Sequence, residues 1–222
     1  MAGLFTSMPQ IVLGPTEPSQ GTVLVSSPLS NEERRLQRVL DPTIPRPGDL
    51  VLASSIVPTF IPRQIRAVQM RGGYPVDDAR WEHAAIFIGK GQIVEATRKG
   101  VHTTRLSRYF ETHLLRFRRD ERISLIEGYE LAIEALTYQD YRYSFLEIFR
   151  LLLRARGAGF ANKAKEGFNY PKQTLICSQL YADSYSAITG RVIGNHRARE
   201  TTPASLSMSK QLQDVQLRWL TP

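Results

Sequence analysis

Two short β-rich runs separated by three residues are the feature that most restricts the fold of this chain. Residues 83–88 and 92–96 are rich in apolar and β-branched side chains, and the segment between them is Gly89-Lys90-Gly91. This pattern predicts a β-hairpin. Residues 49–53, 101–104 and 113–117 have a similar composition, so we expect them to extend the hairpin into one sheet.

Helical patterns dominate the second half of the chain. Residues 124–136, 145–154 and 174–188 are predicted to be helices, and Gly190 supplies the stop signal of the third. Thr202 and Pro203 favour a further short helix, because proline suits the first helical position. Residues 214–220 are predicted to form a closing strand. Strands followed by helices are typical of an α+β fold, here an antiparallel sheet packed against helices.

The length of 222 residues fits one large domain with an extended arm. Residues 1–29 are rich in Pro, Ser, Thr and Gly, and a helix that ends with Val39 and Leu40 is predicted after the capping-box pair Ser30 and Glu33. We therefore divide the chain into an N-terminal extension with a short helix, residues 1–44, and a main domain, residues 45–222. Within that domain, the proline- and glycine-containing residues 54–81 are predicted to be an irregular rim or lid.

Composition excludes several classes of protein. The single cysteine rules out an intramolecular disulfide, and 42% hydrophobic residues are enough for a core without metal or disulfide staples. The sequence has no zinc-ligand set, P-loop or dinucleotide fingerprint, so we expect no cofactor and no metal. It also has no apolar stretch near the roughly 20 residues of a membrane span and no visible signal peptide. We expect synthesis in the cytoplasm, with action in the periplasm of a target cell requiring delivery.

Cys177 lies near the start of the helix predicted over residues 174–188. The N-terminus of a helix carries free N–H groups and a partial positive charge, which stabilise a thiolate. The same N–H groups can hold an oxyanion. This placement indicates a nucleophile, although a buried structural cysteine is the alternative because free cysteine is among the most buried residue types.

A cysteine nucleophile requires a base, and the chain has four histidines. His83 begins the apolar first strand of the hairpin, where an unpaired polar ring would cost stability. His102 lies on a predicted sheet edge, His113 begins another strand, and His196 lies among arginines that disfavour an imidazolium. We therefore choose His83 as the candidate base.

The hairpin predicts an orienting partner for His83. If its turn has odd length and is centred near Lys90, Ala85 lies opposite Glu95. His83 and Glu95 then share a face as diagonal neighbours, about 7–8 Å apart at the backbone. A two-residue turn would instead place Glu95 on the other face. The alternative for Glu95 is a solvent-facing strand residue.

These residues resemble a known family, the circularly permuted branch of the NlpC-like papain-fold cysteine hydrolases, which are related to the lecithin:retinol acyltransferase-like proteins. The resemblance covers about residues 45–210. It rests on four pieces in this order: Pro47-Gly48-Asp49-Leu50, Glu82-His83-Ala84-Ala85-Ile86-Phe87-Ile88-Gly89, Ile93-Val94-Glu95-Ala96 with Gly100-Val101, and Ile176-Cys177-Ser178-Gln179-Leu180.

The resemblance implies a permuted papain-like fold and a role for each matched residue. Cys177 matches the nucleophile, His83 the general base and Glu95 the polar third residue. Tyr143 resembles a tyrosine that often precedes the helical part, and Thr202-Pro203 with Leu206 resembles a structural Thr-Pro-x-x-Leu tail. Residues 1–44 have no counterpart in the family, and residues 54–81 are long for it, so we expect these two segments to determine the choice of substrate.

Three functions compete on these grounds. The first is a peptidoglycan stem-peptide endopeptidase or amidase, acting as a delivered antibacterial effector with an immunity or delivery protein as partner. The second is a lipid-directed thioesterase or acyltransferase, with Ile56, Val57, Phe60, Ile61 and Ile65 lining an acyl site unless they are ordinary core. The third is a non-enzymatic binding protein.

The positive charge of the chain does not choose among these three functions, but it bears on the partner. The net charge of +8 favours contact with an anionic surface. No nucleic acid is expected as partner, because no ordered aromatic and basic pattern of an RNA module is present. The alternative is that the basic residues lie on solvated surface and bind no partner. They form three groups: Arg116, Arg118 and Arg119; Arg150, Arg154, Arg156, Lys163 and Lys165; and Arg191, Arg197 and Arg199.

Overall fold

A computed structural model describes residues 39–139, 142–143, 174–194 and 201–220. The strands are β1 (Val39–Leu40), β2 (Leu50–Ser55), β3 (His83–Gly89), β4 (Gln92–Thr97), β5 (Gly100–Arg105), β6 (His113–Arg119), β7 (Arg142–Tyr143), β8 (Thr174–Leu175), β9 (Gln213–Asp214) and β10 (Trp219–Leu220). The helices are α1 (Phe60–Arg71), α2 (Val76–Ala79), α3 (Leu125–Thr137), α4 (Cys177–Thr189) and α5 (Pro203–Met208).

The main sheet has six strands in the order β5-β4-β3-β2-β6-β9, and all neighbouring pairs are antiparallel. The predicted hairpin is β3 and β4, and the strands predicted over 49–53, 101–104 and 113–117 are β2, β5 and β6. The fold is therefore α+β, with an antiparallel sheet packed against helices, as predicted.

Both faces of this sheet are buried, because apolar side chains occupy successive positions along its central strands. On one face, Ala84, Ile86 and Val94 pack against α3 and α4. On the other face, Ala85, Phe87 and Ile93 pack under the C-terminal segment that carries Val215, Leu217 and Trp219. The side chains of His83 and Glu95 belong to this second face of the sheet and lie at the edge of its apolar cluster.

Helix α3 lies close to the turn that precedes β2. Ser124 caps the helix through a capping box with Glu127. At Gly48, φ is +90°, and a Cβ added there would lie 2.7 Å from the Cα of Gly128 in α3. A Cβ on Gly128 would lie 2.4 Å from the carbonyl oxygen of Pro47. Two glycines thus let the backbones of turn and helix touch, which fixes α3 against the sheet.

The prediction of an irregular segment over residues 54–81 is wrong. Helix α1 occupies Phe60–Arg71, and the short helix α2 follows at Val76–Ala79. Pro62 lies in the first turn of α1, where a missing N–H leaves no helical hydrogen bond unmade. Gln69 anchors the helix, since its amide nitrogen donates to the carbonyls of Ala79 and Trp81 and its oxygen accepts from the N–H of Ala204.

The helix predicted to end with Val39 and Leu40 does not include these two residues. They form β1, which pairs in antiparallel fashion with Trp219 and Leu220 of β10. Hydrogen bonding along a partner strand thus prevails over the local helical pattern. Residues 1–38 lie outside the described residues, as does the helix predicted over 145–154.

The structure of residues 202–220 agrees in part with the prediction from the sequence. Helix α5 begins at Pro203 with a capping box between Thr202 and Ser205. The closing strand predicted over residues 214–220 is instead two short strands, β9 and β10, which pair with β6 and β1 respectively. The described residues contain no helix that is both long and apolar enough to cross a bilayer.

Candidate active site

The hairpin has the register that the sequence predicted. Ala85 lies opposite Glu95, and a bulge after Phe87 precedes a turn in which Lys90 adopts a positive φ of 51°. Glycines at 89 and 91 make this turn possible, because they tolerate positive φ. His83 and Glu95 consequently share a face, and Nε2 of His83 lies 2.6 Å from Oε2 of Glu95. The distance is that of a charge-assisted hydrogen bond.

Cys177 is the first residue of α4, not the fourth as the predicted range 174–188 implied. Thr174 and Leu175 form β8, and Ile176, with an extended backbone, is the N-cap. Ile176 has no side chain that can cap the helix, so the free N–H groups of the first turn remain available. Cys177 is 6% exposed, and its helix packs on the sheet beside β3.

Cys177 and His83 interact directly. Burial of the ring lowers the pKa of His83, but the negative charge of the Cys177 thiolate and hydrogen bonds to Cys177 and Glu95 outweigh this effect and raise that pKa to about 10. Nε2 of the ring faces Glu95, which leaves Nδ1 for the sulfur. The arrangement keeps the ring of His83 protonated beside the sulfur of Cys177.

Glu95 is almost fully buried, with 3% exposure, so its charge must be compensated. Besides His83, the hydroxyl of Tyr109 donates to Oε2 at 2.5 Å, and Nε2 of His102 lies 3.7 Å from Oε1. Burial raises the pKa of Glu95, but the hydrogen bonds from His83 and Tyr109 outweigh it and hold that pKa below its ordinary value. The carboxylate is therefore ionised beside the imidazolium.

Tyr109 is a site residue that sequence reasoning missed. It ends a 3₁₀ turn at Leu106–Tyr109 that follows β5. Its ring lies nearly parallel to that of His83, with centroids 6.2 Å apart and planes 7° apart. Burial and the charge of Glu95 raise the pKa of Tyr109, so its hydroxyl stays protonated and donates. The position after β5 carried no motif, so no local signal indicated this contact.

The other histidines take supporting or outlying positions. His102 lies opposite Glu95 on β5, and its Nδ1 donates to the carbonyl of Gly100 at 3.1 Å. His113 packs edge-on against Tyr109 with ring centroids 4.8 Å apart, and burial lowers the pKa of His113. His196 lies outside the described residues, and the side chain of Tyr143 is likewise not described.

A cavity of about 220 Å³ opens beside His83. Helix α1 supplies apolar lining through Ile61, Pro62 and Ile65. Thr97 at the end of β4 and Arg98 after it also line the cavity. Glu82 closes one side, where it accepts from Nε of Arg66 at 3.0 Å. The segment predicted to be irregular is thus the helix that shapes the mouth of the site.

The basic group on β6 is structural. Arg116 and Arg118 bind Asp214, and Arg118 also donates to the carbonyls of Leu206, Ser207 and Leu212. Arg119 binds Asp49 at 2.7 Å. The interpretation as solvated surface is therefore wrong for these three arginines, whereas their contact with a polyanion stays a prediction. Arg191 lies 3.3 Å from Asp120, and the remaining arginines and lysines of the other two groups lie outside the described residues.

Comparisons with known proteins support the fold. No family model and no curated protein matches the chain. Among solved structures, the chain is similar to the metalloprotein yiiX from Escherichia coli O157:H7, of the family DUF1105, with a TM-score of 0.51 and 16% identity. The match covers 77% of this chain and 96% of that one. At this identity the likeness shows a shared fold alone.

Proposed function

We propose that this chain is a cysteine hydrolase with a circularly permuted, NlpC-like papain fold, which cleaves amide or peptide bonds. Cys177 is the nucleophile, His83 the base and Glu95 the orienter. One observation carries the proposal. The imidazole of His83 contacts Cys177, the first residue of α4, and its Nε2 lies 2.6 Å from Oε2 of the buried Glu95. Nucleophile, base and third group in this order are what acyl transfer requires.

Catalysis begins from the ion pair of thiolate and imidazolium. The sulfur bonds to the carbonyl carbon of the substrate, and the tetrahedral intermediate collapses as the C–N bond breaks. His83 gives its proton to the departing amine. Water then loses a proton to the neutral His83 and attacks the thioester, the C–S bond breaks, and thiolate and imidazolium are restored. The sum is the addition of one water across the amide bond.

The start of α4 stabilises the intermediate. Backbone N–H groups at Cys177 and the next residues point away from the helix and carry its positive partial charge. Without a side-chain cap from Ile176, these donors are free for the oxyanion. The hydroxyl of Ser178 donates to the carbonyl of Thr201 at 2.6 Å, and this hydrogen bond fixes the first turn of α4.

The proposed substrate is the stem peptide of peptidoglycan, cleaved by endopeptidase or amidase action. Family resemblance and the net charge of +8, which suits an anionic wall, support this choice. The yiiX protein is described as a metalloprotein, but the described residues of this chain contain no group of three or more His, Cys, Asp or Glu placed to hold a metal. The proposed steps use the side chains of Cys177, His83 and Glu95 together with backbone N–H groups at the start of α4.

A second candidate is a lipid-directed thioesterase or acyltransferase. Its support is the apolar lining that Ile61, Pro62 and Ile65 give to the cavity beside His83. Of the residues suggested for an acyl site, Ile56, Val57 and Phe60 are exposed and so are not ordinary core. The acyl-enzyme is the same, and only the group bound in the cavity differs.

Two substrates separate the candidates. Purified cell wall is digested and its products are read by mass spectrometry, and in parallel a fluorogenic acyl thioester is offered. New stem-peptide fragments made by the natural protein and absent with Cys177→Ala support the first candidate. Thioester cleavage with covalent acylation of Cys177 supports the second. Neither activity, with Cys177 also unreactive to iodoacetamide, would reject the hydrolase and favour a binding protein.

A further inference from the structure

Three large apolar side chains stand in solvent directly beside the mouth of the candidate site. Val57 is 78% exposed, Phe60 is 74% exposed and Ile56 is 42% exposed. We call these three residues the apolar rim. Ser55 before the rim and Ile61 after it both line the cavity next to His83. The rim is therefore continuous with the wall of the candidate active site.

Two hydrogen bonds to the backbone of the rim segment fix its conformation. The N–H of Ile56 donates to the carbonyl of Thr112 at 2.9 Å, and Nε of Arg63 donates to the carbonyl of Pro58 at 2.8 Å. Phe60 is the first residue of α1, so its direction follows that of the helix. Anchored exposure of several large apolar side chains marks an interaction surface, since isolated monomers seldom keep such patches.

The charges around the mouth favour an anionic partner. Arg63 is exposed on α1 beside the rim. Arg98, which lines the cavity, and its neighbour Lys99 are exposed on the β4–β5 turn. Glu111, next to Thr112, is an exposed acidic side chain on the rim side. Among these exposed side chains, basic ones outnumber acidic ones around an apolar centre, and Glu82 in the cavity wall is paired with Arg66. Amphipathic surfaces of this composition bind anionic bilayers, with apolar groups among the acyl chains and cations at the headgroups.

We propose that the apolar rim docks on a bilayer that contains anionic phospholipid, with Val57 and Phe60 inserted between the headgroups. This orientation sets the cavity beside His83 at the membrane surface. The inference goes beyond the proposed chemistry and does not depend on it, because docking is measured in Cys177→Ala. An acyl or lipid-linked substrate would enter the cavity from the bilayer without crossing bulk water.

Vesicle co-sedimentation of the full chain tests the docking. The Cys177→Ala protein should bind vesicles of phosphatidylcholine mixed with phosphatidylglycerol, and binding to phosphatidylcholine alone should be much weaker. Val57→Ser with Phe60→Ser should weaken binding by about tenfold or more, the effect of removing two large apolar groups from a nonpolar environment. Val57→Ser alone, which leaves α1 untouched, should give a smaller loss in the same direction.

Matched variants elsewhere control for general stickiness and charge. Ile126→Ser with Ile133→Ser removes two apolar side chains of α3 that are 71% and 61% exposed, and binding should not change. Lys99→Gln should weaken binding to anionic vesicles, whereas Lys90→Gln, at the other end of β4, should not. Circular dichroism confirms that each variant is folded.

Three results would overturn the docking surface. They are no binding to either vesicle, equal binding to both, and equal losses from the rim and α3 variants. Absence of vesicle binding would leave a protein as the occupant of the rim. Since wall digestion and thiol labelling are separate measurements, either proposal can fail while the other stands.

Discussion

Nε2 of His83 and Oε2 of Glu95 are 2.6 Å apart although the residues belong to different strands. The contact exists because the hairpin places Ala85 opposite Glu95, which makes His83 its diagonal neighbour. One oxygen of Glu95 also accepts from Tyr109, so three side chains share a single buried centre. Most expectations for the chemistry depend on the charge of this centre.

Alkylation of Cys177 should depend on the ring of His83. The pKa of His83 is about 10 in the folded chain against 6.5 in the unfolded one, so the ring stays protonated beside the sulfur at neutral pH. A neighbouring cation favours the thiolate, which is the form of cysteine that reacts with iodoacetamide. In His83→Ala the rate of labelling at pH 6 should therefore fall about tenfold or more. An unchanged rate in that variant would contradict the contact between the two side chains.

The protonated ring of His83 should stabilise the fold in a defined pH range. Because the folded-state pKa of His83 is raised, its contribution is fully present below about pH 6.5 and is lost as pH rises through about 10. Thermal unfolding of the natural protein should show the loss between about pH 6.5 and 10, and His83→Ala should not. Parallel curves for the two proteins across this range would contradict the assignment.

Glu95→Gln should lower activity by about 100-fold or more, because the amide no longer holds and charges the imidazole as the carboxylate does. Glutamine keeps the size but removes the charge that raises the pKa of His83. The alkaline limb of the pH–activity profile should consequently move to lower pH. Gln92→Glu, an exposed change on the same strand, serves as control and should leave the profile in place. An unmoved alkaline limb in Glu95→Gln would contradict the role of orienter.

Tyr109→Phe should act through Glu95. The Tyr109 hydroxyl lowers the pKa of Glu95, so its removal should raise that pKa and move the acid limb of the activity profile to higher pH. The rate at neutral pH should fall by about tenfold, near the free energy of one charged hydrogen bond. Tyr129→Phe, an exposed tyrosine of α3, is the matched control. A loss of activity with an unmoved acid limb would indicate a structural role only.

Gly128→Ala should destabilise the fold without touching the site. The new Cβ would lie 2.4 Å from the carbonyl oxygen of Pro47, and backbone cannot yield as a side chain does. We expect the free energy of unfolding to fall by about 1–3 kcal/mol in urea titration. Glu130→Ala, exposed on the same helix, should change it by less than about 0.5 kcal/mol. Equal stability of the two variants would contradict the close approach of Gly48 and Gly128.

Asp120→Asn should weaken the contact between the end of β6 and α4. Burial raises the pKa of Asp120, but hydrogen bonds from Arg122 and Tyr185 outweigh it and lower the pKa to about 2. The stabilisation is therefore present above about pH 3.8 and is lost as pH falls through about 2. We expect Asp120→Asn to cost about 1–3 kcal/mol at pH 6 and progressively less below pH 4. A constant difference at all pH values would contradict this.

The sequence allowed prediction of the hairpin, its register and the pairing of His83 with Glu95, because all three follow from alternation and from one glycine-flanked turn. It did not allow prediction of α1. Pro58 and Pro62 indicated an irregular segment, yet the second falls in the first turn of the helix, where proline is tolerated. Local composition cannot tell these positions apart without knowing where the helix begins.

Long-range partners were also beyond local patterns. Arg116, Arg118 and Arg119 formed a basic run by sequence, but Asp214 and Asp49 neutralise them from distant segments. Tyr109 likewise joins Glu95 only through the fold. Each of these contacts depends on the order of strands in the sheet, which alternation along one strand does not encode.

The pairing of β1 with β10 places Val39 beside Leu220. A short peptide linking these two positions would close the described domain into a ring with little distortion. Opening such a ring between α3 and β8 would put Cys177 ahead of His83 in the new chain while leaving every strand in its place. The order of Cys177 and His83 along such a chain would thus depend on where the ring is opened, whereas their contact depends on the packing of α4 on the sheet.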